Sequence, residues 1–194
     1  MKKVDMLKKE INYVKDSNRR KDLKTLIELL PDYFFTIPAS STGKYHPDFS
    51  LGDGGLLRHT KAAVRIAYDL LENNTIGMKF DSKDKDLIIM ALILHDGVKS
   101  GMEHDKYTKF DHPLLVSKLI MENKSKLSMD IDDIRKMCSM IESHMGEWTY
   151  DSYQKKEVLP KPRTAEQRFV HMCDFLASRK FLDIKFDSKN DIVN

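Results

Sequence analysis

The chain has 194 residues, 41% of them hydrophobic and 32% charged, with a formal net charge of +3. Those proportions describe an ordinary globular chain, long enough for one domain with a substantial core. The charge is too small to name a polyanionic partner, and two cysteines are too few for a disulfide framework.

The amino-terminal lysines (Lys2, Lys3, Lys8, Lys9, Lys15, Lys21, Lys24) alternate with Asp5, Glu10, Asp16 and Asp22, which reads as a solvated helical face rather than a nucleic-acid patch. Apolar residues at helical spacing (Leu7, Ile11, Val14; then Leu23, Leu26, Ile27, Leu30) predict helices over 2–15 and 19–30, separated by Ser17-Asn18 and closed by Pro31. The start, MKKVDMLKKE, lacks the apolar stretch of a signal peptide. Prolines and Gly43 predict an irregular segment over 32–47, its aromatics anchored on the core.

Gly52 to Gly55 predict a flexible turn into a helix over 56–73, ended by Asn73-Asn74 and Gly77. Ser82 is the expected cap of a helix over 83–96, whose Leu87–Leu94 run is apolar on every face and therefore buried. That run is the longest in the chain and far too short to span a membrane. A polar loop over 97–111 precedes helices over 112–123, 131–145 and 164–180. Residues 146–163 carry Pro160, Pro162 and no periodicity, and no stretch makes a convincing strand. Leu182-Ile184-Phe186 alternate in a tail too short to assign. Cys138 and Cys173 lie in apolar-periodic segments and read as buried free thiols of a reducing compartment, so a cytoplasmic location is expected. The expected fold is all-α and single-domain.

Six residues stand out against this background: His59, the pair His95-Asp96, His112, His144 and Asp174. They lie too far apart for any zinc-finger loop, so they can converge only if several long helices each contribute one or two, as in bundles that carry a metal in the core. His59 has Ala63, Ile66 and Leu70 along its own side of a helix, an inward face. Asp174 sits between Val170 and Ala177 on such a face, where a lone carboxylate is costly unless paired or metal-bound. Imidazole and carboxylate side by side suit a divalent transition metal, with the carboxylate able to bridge two ions.

This series resembles the HD-domain superfamily of metal-dependent phosphohydrolases, most nearly the catalytic domain of YhaM-type 3′–5′ exoribonucleases. The matching text is Tyr45-His46-Pro47, Gly54-Gly-Leu-Leu-Arg-His59-Thr60, Ala91-Leu-Ile-Leu-His95-Asp96-Gly-Val-Lys99, His112-Pro113, Glu142-Ser-His144-Met-Gly-Glu147 and His171-Met-Cys-Asp174. Met145 stands where family members often have a second histidine.

The resemblance implies a helical segment over 1–31 packed on an HD-type catalytic domain over 32–180, with a tail over 181–194. It also implies two divalent ions (Mn, Fe, Co, Ni, Zn or Mg). His59, His95, Asp96 and Asp174 would hold the first, and Asp96 would bridge to a second held by His112 and His144. The expected reaction is phosphodiesterase or nuclease chemistry on a nucleotide or short oligonucleotide, by a hydroxide bridging the metals.

Lys99 is then expected to bind phosphate and stabilise the transition state, and His46 to contact substrate or protonate the leaving group. Trp148, Tyr150 and Tyr153 are candidates for stacking on a base, and Arg58 and Arg163 for phosphate contacts. Two other readings stand beside it: a mixed-valent di-iron oxygenase, since some HD-superfamily oxygenases use the same ligand order, and a non-catalytic nucleotide-sensing module, against which the intact ligand set argues. The oligomeric state is left open.

Overall fold

The computed structural model describes residues 2–40, 43, 46–182 and 184–193; Tyr45, of the Tyr45-His46-Pro47 motif, lies outside them. In chain order the helices are α1 (Lys3–Met6), α2 (Lys8–Ile11), α3 (Ser17–Leu29), α4 (Gly55–Glu72), α5 (Asn74–Gly77), α6 (Ser82–Leu94), α7 (His112–Glu122), α8 (Ile131–Glu142) and α9 (Ala165–Ala177). Between α8 and α9 a small antiparallel hairpin pairs β1 (Tyr150–Asp151) with β2 (Lys156–Glu157), Tyr150 opposite Glu157. The fold is helical, as its sequence periodicity predicts, with this hairpin as the addition.

Helix α6 is the axis. Every residue from Leu87 to Leu94 is buried, and α4, α8 and α9 surround it while α7 lies along α8. Burying one such aliphatic side chain is worth about 1.5–3 kcal/mol, so this run anchors the core. Helix α4 turns Leu56, Leu57, Ala63, Val64, Ala67 and Leu71 inward. Gly55 permits its close seating: a Cβ there would stand 2.2 Å from the Ser50 carbonyl oxygen. That contact fixes the turn carrying His46 and Phe49 against the start of α4.

Several boundaries differ from the sequence expectation. The first helix is two short pieces broken at Leu7, and it stops at Ile11. Asp86, buried on α6, explains the early stop, because its carboxylate accepts from the backbone N–H of Lys15 (2.7 Å) and Asp16 (3.0 Å). Those donors are therefore lost to a helix. Ser17-Asn18 is not a separator, since the Asp16 side chain caps α3 by accepting from Asn18 and Arg19 N–H. Asp81, not Ser82, caps α6. Helix α8 ends at Glu142, which leaves His144 on the turn beyond it. Thr164 and Gln167 form a capping box at the start of α9.

Asp22 ties α3 to the α7–α8 connection by accepting from Ser128 and Met129 N–H. In the tail Phe186 pairs with Ile192, and Asp191 meets the buried Lys61 of α4 at 2.8 Å. Cys138 and Cys173 are buried and free. Among the described residues, no helix is long and apolar enough to cross a membrane.

Candidate metal centre

Five separate segments deliver the six singled-out side chains to one place. His59 comes from the second turn of α4, His95 caps the end of α6 and Asp96 follows it. His112 opens α7 ahead of Pro113, His144 lies just past α8, and Asp174 is in the last turn of α9. All are buried except Asp174, which is partly so.

Asp96 divides the cluster between its two oxygens. Oδ2 faces His95 Nε2 at 3.6 Å and His59 Nε2 at 4.0 Å, while Oδ1 faces His112 Nε2 at 2.9 Å and His144 Nε2 at 3.7 Å. Asp174 Oδ1 closes the first side, 2.9 Å from His59 Nε2 and 3.4 Å from His95 Nε2. On the second side the Nε2 atoms of His112 and His144 are 3.4 Å apart. Among the described residues, His59-His95-Asp174 and His95-Asp96-His144 each bring three donor atoms within 4.8 Å of one another.

Three of the imidazoles are oriented by the same local device. Nδ1 of His95, His112 and His144 each lies 2.7 Å from the backbone carbonyl three residues earlier, those of Leu92, Lys109 and Ile141. A carbonyl oxygen only accepts, so Nδ1 carries the proton and the Nε2 lone pair points into the cluster. Such tautomers suit metal ligation. His171 adds a brace, donating from Nδ1 to the carbonyl of His144 at 2.7 Å, so it supports His144.

The electrostatics fit a cation. Among the described residues, His95 Nε2 and Asp96 Oδ1 are buried without a hydrogen-bond partner, while other lone-pair atoms crowd them. Burial opposes ionisation of Asp96, yet Lys99, His95 and His112 outweigh it and hold the carboxyl well below the usual carboxylate range. For Asp174 burial is likewise outweighed, by His59 and His95. Burial pushes His144 down to about 3, which keeps its Nε2 unprotonated. Neutral imidazoles with two ionised carboxylates are a donor set for a divalent transition metal.

The cluster opens into a cavity of about 500 Å³ lined by His46, His59, Asp96, Lys99, His144 and Asp174, together with Met145, Trp148, Phe175, Ser178 and Arg179. Lys99 Nζ sits 2.5 Å from Asp96 Oδ2. His46 is pushed down to about 4 by burial and by the nearby His59 and Lys99.

Other candidates fall elsewhere. Arg58 does not line this cavity: its guanidinium donates to the carbonyls of Phe49 and Leu51 and to Asn190 Oδ1, bracing the turn and tail against α4. Arg163 is exposed and does not line the cavity. Tyr150 and Tyr153 line a neighbouring surface hollow with His112 and Met145, and Tyr153 is 96% exposed. Trp148 does reach the cavity, 47% exposed, its ring nearly parallel to Phe175 with centroids 6.1 Å apart. Phe175, Ser178 and Arg179 were not anticipated. The legible signal was position, because Ser178 lies one helical turn after Asp174 and shares its face.

A family model described as "HD domain" matches residues 56–178, more than half of the chain. No curated protein and no solved structure matches it.

Proposed function

The chain belongs to the HD domain family, and on that premise we propose that it is a metal-dependent phosphohydrolase cleaving a phosphoester bond of a nucleotide or short oligonucleotide. The observation that carries this reading is the divided Asp96 carboxylate, with imidazole nitrogens and Asp174 gathered at one oxygen and two further imidazoles at the other. His59, His95, Asp96 and Asp174 would hold one divalent ion, and Asp96, His112 and His144 a second. Such ions lower the pKa of a coordinated water and neutralise charge developing on phosphoryl oxygens.

The chain's own groups supply the rest. Lys99, beside Asp96 in the cavity lining, meets a phosphoryl oxygen and offsets its growing charge. His46 is neutral at pH 7, which favours substrate contact over the leaving-group acid that sequence alone also allowed. Met145, Trp148 and Phe175 give the cavity an apolar side suited to a base. The likeness to YhaM-type exoribonucleases supports a diester substrate and rests on sequence motifs alone.

The test is elemental analysis of purified protein, with hydrolysis of a nucleotide and phosphodiester panel after loading with Mn²⁺. Activity abolished by chelation and by Asp96→Ala supports the reading; activity surviving both removes it.

A further inference from the structure

Resting on the phosphohydrolase reading, we propose that Arg179 anchors a second, non-scissile phosphate, so that the substrate is a nucleotide carrying more than one phosphate group. Among the described residues, two side chains lining the cavity carry a fixed positive charge, Lys99 and Arg179. Lys99 stands beside Asp96, at the reacting centre. Among the described residues, Arg179 is ion-paired with no carboxylate. Its Nε and Nη2 donate to Ser178 Oγ at 3.2 and 2.8 Å, and its guanidinium lies 4.2 Å from the centroid of Phe175.

Those contacts hold the guanidinium without neutralising it. Ser178 spends its own proton on the Phe175 carbonyl at 2.7 Å, leaving its oxygen to accept from Arg179. A planar cation stacked on a ring and fixed at one edge loses little freedom when it binds an anion, and its remaining N–H donors match two phosphate oxygens. The ion pairs of Asp96 and Asp174 are made by Lys99 and the histidines and not by Arg179, which leaves its guanidinium for a different group. The Trp148 ring, nearly parallel to Phe175, leaves about half its surface for a base beside that anion. The same geometry accepts a nucleoside diphosphate or a 5′-phosphorylated dinucleotide.

Trp148 is the sole tryptophan, so intrinsic fluorescence reads this cavity directly. Stopped-flow quenching, recorded before turnover, is compared for wild type, Arg179→Ala, Arg179→Lys and the exposed neighbour Lys180→Ala, using AMP, ADP and the dinucleotide pApA. In wild type ADP or pApA binds more tightly than AMP. Arg179→Ala shrinks that preference about tenfold or more, Arg179→Lys restores part of it, and Lys180→Ala matches wild type. The ligand that loses more in Arg179→Ala identifies the phosphate source. A preference unchanged in Arg179→Ala, or no quenching by any of the three in wild type, overturns the proposal. Hydrolysis of bis(p-nitrophenyl) phosphate is measured in parallel. Its absence counts against the phosphohydrolase reading, whereas intact hydrolysis with no Arg179-dependent preference counts against this subsite alone.

Discussion

The His171 ring occupies the space that a side chain on Gly146 would need: a Cβ there would stand 2.1 Å from the ring's Cε1 and 2.4 Å from Nε2. The same ring holds the carbonyl of His144, so one glycine governs how a candidate metal ligand is presented. Gly146 also has φ +68, a left-handed conformation costly for other residues. Gly146→Ala is expected to lose about 1–3 kcal/mol of stability from strain and overpacking, and to retain metal less well. Thermal melts with and without Mn²⁺ check this, and a variant with the wild-type Tm in both would refute the coupling.

Asp96 is the residue shared by both halves of the cluster. Asp96→Asn preserves shape but removes the charge that bridges them. Metal content should fall, and hydrolysis should drop by about a hundredfold or more. The metal-induced rise in Tm expected of wild type should shrink in parallel. A fully metal-loaded, active variant would exclude the bridging role.

His46 should titrate far below an ordinary histidine. Burial, with His59 and Lys99 nearby, places it at about 4 against 6.5 in the unfolded chain. Between those values the unfolded state binds more protons, so this group makes stability fall on acidification through pH 6.5 to 4. NMR titration of the metal-free protein reads it directly; a His46 midpoint near 6.5 contradicts the buried, neutral assignment.

Arg58 predicts a loss that charge alone cannot repair. Its fork spans Phe49, Leu51 and Asn190, so both Arg58→Ala and Arg58→Lys should destabilise by about 1–2 kcal/mol. Limited proteolysis should cut first between residues 46 and 51. Full rescue by lysine would reduce Arg58 to a simple point charge.

Lys136 of α8 joins Asp84 of α6 at 2.6 Å and Glu166 of α9 at 2.8 Å. Burial opposes the Glu166 charge, but Lys136, the Glu166 backbone and Thr164 outweigh it and hold the carboxyl at about 2. Because that value lies below the unfolded 4.5, the pair's contribution is present above pH 4.5 and lost as pH falls toward 2. Acid melts of Glu166→Gln should therefore show a shallower decline over that window than wild type.

Much of this molecule was legible in its residues. The Leu87–Leu94 run announced a buried helix because no face of it could meet water, and the structure makes it the axis. The wide separation of His59, His95, Asp96, His112, His144 and Asp174 implied convergence across helices, and the structure brings their donor atoms together. Helix starts were misplaced by a residue or two because capping depends on side-chain reach. Asp16 and Asp81 won over the serines beside them. The early end of the first helix was hidden because its cause, Asp86, lies seventy residues away in sequence.

Pattern and residue type determined the helical class, the buried axis and the identity of the metal-capable set, because periodicity and ligand chemistry are properties of the chain itself. Direction was decided only by folding. Arg58 and Arg179 are equivalent as letters, yet one is spent on backbone carbonyls and the other faces the cavity. Where a long side chain points depends on which distant segments reach it, and that information exists only once the helices have packed.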